Sequence, residues 1–156
     1  MTYMPDDDGT RTFIGGVIVQ AAAALHPDQT SADIFSISGR IILLGLVGEV
    51  TVAVPANHDY SLEFDPDNGG ANVNLGTTLE VDSDAAGTFY TLPTTAGGAL
   101  VATTNIAYGG YDMMIDLGAG DIQWTVGGGG TVGTTTRVRW DLHYVPVDTG
   151  VTVTAV

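Results

Sequence analysis

No cysteine and no lysine occur anywhere in the 156 residues. Without cysteine there is no disulfide framework, no thiolate metal site and no thiol nucleophile. Basic residues number only four, all arginine, against 18 carboxylates, fifteen of them Asp, for a formal net charge of −14. A field of that sign repels phosphate backbones and argues against sequence-independent nucleic-acid binding. Long hydrophobic runs are also missing. The longest, Ile41 to Val47, is broken by Gly45 and falls far short of the roughly 20 residues a membrane-spanning helix needs. The opening MTYMPDDDGTR carries acids where a signal peptide carries bases, so a soluble chain with no membrane partner and no export signal is expected. The length suits one domain that buries a core without staples.

Two explanations compete for the missing lysines: a GC-rich genome poor in lysine codons, or a salt-adapted host whose proteins stay soluble through surface carboxylates. The second accounts for the acidity too, although the charged fraction of 14% is low for a heavily salt-adapted surface.

What is abundant is glycine, 22 residues, with Thr, Val and Ala. Turn signals recur at short intervals, which predicts an all-β fold: a single antiparallel β-sandwich or barrel of about eight to ten strands. Strand candidates are Asp33 to Ser38, Ile41 to Val54, Asp59 to Phe64, Thr78 to Val81, Gly87 to Leu92, Ile122 to Val126, Arg137 to Val147 and Val151 to Val156. Pro27-Asp28, Pro55-Ala56-Asn57, Pro66 to Gly70, Gly97-Gly98 and Gly109-Gly110 punctuate them as turns. Val17 to Leu25 (VIVQAAAAL) is the one helix candidate, since Ala favours helix. Gly15-Gly16 before it, Pro27 after it and the lack of an N-cap favour a first strand instead. Residues 1–12 lack hydrophobic periodicity and read as an extended N-terminal arm that orders against a partner, ahead of a β-domain over 13–156.

Near the end, RVRWDLHYVPV alternates: Arg137, Arg139, Asp141 and His143 point one way, while Val138, Trp140, Leu142 and Tyr144 point the other. Ile122, Trp124 and Val126 alternate likewise and should share the core with Trp140. GGGGTVGTT between the two runs reads as a long hairpin loop. The polar row then forms an outer face, on which the two arginines can meet carboxylates of a neighbouring strand or a neighbouring subunit.

No motif commits the chain to a reaction. DPDNGGANVN, Asp65 to Asn74, crowds oxygen ligands like a calcium loop, but Gly69 and Gly76 stand where ligands are required, which leaves an Asx-rich turn. Asp82-Ser83-Asp84 reads as another turn. Gly127 to Gly130 lacks the Gly-Lys-Ser/Thr ending of a phosphate loop. His26, His58 and His143 lie in separate regions without metal-ligand spacing. Asp59 and Asp141 could orient two of them, yet no Gly-x-Ser-x-Gly elbow is present. No enzyme activity, cofactor or metal is expected.

DIFSISGRIILLGLVGEVTVAV (residues 33–54), GTFYTL (residues 87–92) and GDIQWTV…RVRWDLHYVPVDTGVTVTAV appear in an order that resembles small structural proteins of tailed viruses, bacteriophage or archaeal, of the capsid decoration (cement) type. The likeness spans most of the chain from about residue 14, leaving the arm and DPDNGG outside. It implies a homo-oligomer, commonly a trimer, that binds the major capsid protein on the virion exterior and is assembled in the host cytoplasm. Interface candidates are Arg137, Arg139, Arg11 and Phe13. Another virion component (turret, head-fibre or tail subunit) and a cellular carbohydrate-binding or adhesin domain are the alternatives, the latter disfavoured because both tryptophans alternate into the core.

If the acidity is a salt adaptation, lowering the salt should lower the melting temperature, because carboxylates repel beyond about 10 Å once ionic strength falls under about 0.1 M. A thermal scan that is flat between about 0.05 and about 3 M salt would assign the missing lysines to codon usage instead.

Overall fold

The computed structural model describes residues 2–5, 11–14, 16–25, 31–95, 97–104, 114–129 and 135–156, with 2–5, 11–14 and 25 as backbone only. Of the features read from the sequence, His26, Pro27-Asp28, Gly109-Gly110 and Gly130 lie outside these residues. Among the described residues there are fourteen strands and no helix: β1 (Thr2–Pro5), β2 (Arg11–Ile14), β3 (Val17–Gln20), β4 (Ala24–Leu25), β5 (Ser31–Ile37), β6 (Ile41–Val52), β7 (Asp59–Pro66), β8 (Val73–Glu80), β9 (Phe89–Thr91), β10 (Val101–Thr103), β11 (Ile115–Leu117), β12 (Gly120–Gly127), β13 (Arg137–Pro146) and β14 (Val153–Ala155). All eight expected strands are present, and Val17–Gln20 is a strand rather than a helix. The count exceeds the expectation because β4, β10 and β11 have only two or three residues each, and β1 and β2 form a separate pair.

Two sheets make a sandwich rather than a closed barrel. One runs β10-β9-β6-β13-β3, with β11 also pairing β6 and β4 also pairing β13; the other runs β14-β5-β12-β7-β8. All strand pairings within both are antiparallel. The twelve-residue β6 is the spine of the first sheet, pairing β13 along one side and β9 and β11 along the other.

Alternation decides which residues reach the core. Along β13 Val138, Trp140, Leu142 and Tyr144 are buried, and along β12 Ile122, Trp124 and Val126 are buried, as the period-two pattern requires. Where two consecutive apolar residues are buried, the register slips. Phe35 pairs Ile122 while Asp33 pairs Gln123, so Ile34 is the extra residue of a bulge and is buried beside Phe35.

The hairpin expected between the two tryptophan strands is not formed. β12 pairs β5 and β7 in one sheet, and β13 pairs β6, β3 and β4 in the other. Alternation establishes which side chains turn inward; it does not say whether two inward faces belong to one sheet or oppose each other. Here they oppose, and Trp124 and Trp140 meet across the sandwich at 5.8 Å between ring centroids. The strands on either side of the glycine-rich segment therefore belong to different sheets.

Glycine makes room for this contact. Gly48 on β6 pairs Trp140, and a Cβ there would lie 2.6 Å from the indole. At one seam of the sandwich Thr77 bridges Ala99, its N–H donating to the Gly98 carbonyl (2.8 Å) and its carbonyl accepting from Leu100 N–H (3.2 Å), which ties edge strand β8 to the lead-in of β10. Gly76 beside it leaves space for buried Leu100, whose Cδ2 would lie 2.4 Å from a Cβ.

Gly48→Ala should therefore destabilise the fold by about 1–3 kcal/mol through overpacking, and Trp140→Ala by about 3–5 kcal/mol, both read from urea midpoints. Native tryptophan emission should be blue-shifted, because both indoles are 0% exposed. Emission at the wavelength of free indole, or a Gly48→Ala protein as stable as the parent, would contradict this packing.

Candidate functional site

The outward row of β13 lies where the alternation places it, and its arginines find partners inside the chain. Register sets Arg139 opposite Glu49 on β6, and the two form an ion pair. Arg137 Nη1 donates to the Ala23 carbonyl at 3.2 Å, and the Arg137 carbonyl accepts from Thr51 Oγ1 at 3.2 Å. The neighbouring-strand alternative thus holds for Arg139. Its pair is part-exposed, with side chains 39% and 27% accessible, so it contributes no more than about 0 to 1 kcal/mol. His143, the last of the row, lies over the start of β3, since a Cβ at Gly16 would sit 2.2 Å from its Nε2.

The same face is not purely polar. Ile18 on β3 is 66% exposed and Val101 on β10 is 46% exposed, while Val47 and Phe89 are half-buried between them.

Arg11 and Phe13 stand apart from this row. They lie on β2, opposite Pro5 and Tyr3 of β1, in a two-stranded sheet that pairs with neither large sheet. The boundary expected between residues 12 and 13 falls inside β2. The four candidate interface residues are thus distributed over two separate elements.

Arg40 is the third arginine with a described side chain. Its Nε donates to Asp116 Oδ1 (2.8 Å) and Oδ2 (3.1 Å), and its backbone N–H donates to Asp148 Oδ2 (3.0 Å). The β5–β6 turn is thereby clamped to β11 and to the segment just after β13. The hydrogen bond from Arg40, reinforced by its charge, holds the Asp116 carboxyl below the usual carboxylate range.

The acidic motifs are structural turns. In the β7–β8 hairpin Gly69 adopts a positive φ of 73°, Gly69 N–H donates to the Pro66 carbonyl (3.3 Å), Gly70 N–H donates to Asn68 Oδ1 (2.8 Å), and Asn72 Nδ2 donates to Glu63 Oε2 (3.1 Å). These bonds make DPDNGG an Asx-stabilised turn. Asp82 Oδ1 accepts the His58 N–H at 2.7 Å, and Asp84 Oδ2 accepts the Tyr90 hydroxyl at 2.8 Å. His58 is fully buried, with Nδ1 2.9 Å from the Ala56 carbonyl. No group of three His, Asp or Glu side chains among the described residues could hold a metal ion.

One hollow escaped the sequence reading. Asn57, Asp59, Glu80, Asp82, Gly128 and Gly129 line a shallow depression of about 330 Å³. Asp59 and Glu80 are register partners across β7 and β8, and Gly128, at φ 93°, packs against the Asn57 backbone so closely that a Cβ would lie 2.3 Å from the Asn57 carbonyl oxygen. Only the strand register brings these residues together.

No protein-family model matches the chain, and no curated protein matches it. Among solved structures it is similar to a chain in the structure of infectious bursal disease virus Gx strain, with 16% identity and a TM-score of 0.28 over 89% of this chain and 33% of that one. The chain spans about a third of that protein's length, and a likeness at this level carries no functional argument.

Burial, then the Asp84 hydrogen bond and charge, push the Tyr90 phenol far above its ordinary value, and burial pushes up Tyr60 as well. Free tyrosine titrates near about 10. Above that pH the unfolded chain releases phenol protons that the folded chain retains, so stability is intact below about 10 and falls as the pH rises past it. The melting temperature should drop on the alkaline side, with a smaller slope in Tyr90→Phe. An identical slope in the variant would remove Tyr90 from the account.

Proposed function

We propose that this chain is a virion structural protein, and specifically a capsid decoration protein that binds the outside of a tailed-virus head and bridges major capsid subunits. The observation that carries the reading is where the resembling segments fall. Residues 33–54 make most of β5 and all of β6, residues 87–92 contain β9, and residues 120–156 make β12, β13 and β14. Apart from the edge strand β14, these are interior strands of the two sheets, and β12 and β13 carry the tryptophan contact. The resemblance thus lies in the frame of the fold rather than in its loops.

The surface supports an adhesive role. A body of net charge −14 is repelled by packaged nucleic acid. The proposed contacts are Arg137 and Arg139 on the outward row and Arg11 and Phe13 on the N-terminal hairpin. In the isolated chain the arginine contacts are worth little, whereas a desolvated interfacial pair costs about 2–5 kcal/mol when truncated.

Co-sedimentation with undecorated capsids tests this. The chain should pellet with the capsids at a saturating stoichiometry and raise their resistance to heat. Arg137→Ala/Arg139→Ala should weaken attachment while leaving the folding stability of the free protein within about 1 kcal/mol of the parent. Failure to bind capsids, or density for the chain on tails or fibres in cryo-EM of whole particles, would overturn the decoration assignment.

A further inference from the structure

The sandwich has two seams, and they differ. At the first, Thr77 and Ala99 tie β8 to the segment leading into β10. At the second, β3 closes one sheet and β14 closes the other, side by side, and no strand pairs with the outer edge of either among the described residues. Unprotected edges are templates for pairing, and proteins usually blunt them with Lys, Pro or inward charges. This seam has none of these three, and its only protection is the shortness of its strands, four residues in β3 and three in β14. Residues 16–25, GVIVQAAAAL, and residues 149–156, TGVTVTAV, contain no charged side chain and no proline, in a chain of net charge −14.

The backbone at this edge is directed outward. Ala21 N–H donates to the Trp140 carbonyl at 2.8 Å, and β3 continues in register, Gln20 with Asp141, Val19 with Leu142 and Ile18 with His143. In an antiparallel pair, hydrogen-bonded positions alternate with non-bonded ones. With residue 21 bonded to β13, residue 19 is bonded too. Ile18 and Gln20 therefore point their N–H and C=O groups away from β13, to the open edge. Ile18 also projects a side chain that is 66% exposed.

We infer that this seam is the surface on which two copies of the chain associate, β3 pairing antiparallel with β3 of a second copy about a two-fold axis. The occupant follows from charge and symmetry. Two bodies of −14 approach most easily where the edge strands themselves carry no carboxylate; the nearest charges are those of β13, Arg137 at the Ala23 carbonyl and Asp141 opposite Gln20, which offer a basic partner no acidic surface to complement. An antiparallel strand is also self-complementary: a register that pairs Ile18 with Ile18, or Ile18 with Gln20, sets outward N–H and C=O groups against each other and keeps each side chain on its proper face. The inference does not depend on the virion reading, because it concerns the purified chain alone.

The test is the mass of the purified protein by size-exclusion chromatography with light scattering over a wide concentration range, in salt high enough to screen the net charge. The parent should pass from monomer to dimer. Ile18→Lys places a charge at the edge, and Ile18→Pro removes an N–H that makes no bond to β13; both should stay monomeric where the parent is dimeric. Val101→Lys, on the opposite edge strand β10, should dimerise like the parent. Hydrogen exchange on the unmodified protein gives a readout free of folding defects: the Ile18 and Gln20 amides should gain protection as concentration rises. A parent that is monomeric throughout, an assembly of three copies, or Ile18 and Gln20 amides that stay unprotected in the dimer would overturn the inference.

Discussion

Four aromatic rings hold the two sheets together. Tyr60 and Trp124, from β7 and β12, meet edge to face at 5.0 Å; Tyr60 meets Tyr90 of β9 at 5.4 Å; and Trp124 meets Trp140 of β13 at 5.8 Å. Each such pair adds about 0.5–1.5 kcal/mol beyond the area it buries. The chain thus crosses the sandwich twice through ring contacts, once at Tyr60–Tyr90 and once at Trp124–Trp140. Much else follows from this constraint. Gly48 must lack a side chain to admit the Trp140 indole, and Asp84 is held where its carboxylate accepts the Tyr90 hydroxyl. The turn that carries Asp84 also carries Asp82, whose carboxylate caps the His58 amide, so the aromatic centre and the acidic turn are fixed together.

The strand pattern was legible because alternation leaves a direct mark. Arg137 to Tyr144 and Ile122 to Val126 show which residues turn inward, and the burial of Trp124, Trp140, Leu142 and Tyr144 follows from that parity. Pairing partners leave no comparable mark. A glycine-rich link between two amphipathic strands suits a hairpin as well as a crossing, and the difference lies in contacts tens of residues away, such as β13 with β6 and β12 with β7. The shortest strands escaped for a related reason: Ile115–Leu117 and Val101–Thr103 are too brief to show a period of two. The β1–β2 pair escaped because its residues lack an alternating apolar face.

The candidate surface was legible in part. The outward row of β13 could be read from parity, and so could the possibility that Arg139 meets an acid on an adjacent strand. That the acid is Glu49 depends on the β6–β13 register, which slips where β6 inserts an extra residue between Gly45 and Leu43, the partners of His143 and Tyr144. The hollow lined by Asp59, Glu80 and Asp82 was illegible for the same reason. Its acids are adjacent only because Asp59 pairs Glu80.

The distribution of charge then takes on structural meaning. Each of the three arginines with a described side chain is engaged within the chain: Arg40 with Asp116, Arg139 with Glu49, and Arg137 with the Ala23 carbonyl. Arg139 binds β6, and Arg40 ties the turn before β6 to β11, so scarce cations reinforce the spine of the first sheet and the clamp at its end. The carboxylates that remain unneutralised keep most of the surface mutually repulsive between copies. Against that background, a segment of ten residues and one of eight without a charged side chain are the places where repulsion is least. Both lie at the same seam because β3 and β14 are the terminal strands of their sheets on that side. The topology gathers the neutral segments at one border, and the net charge makes that border the surface where another protein edge meets the least opposition.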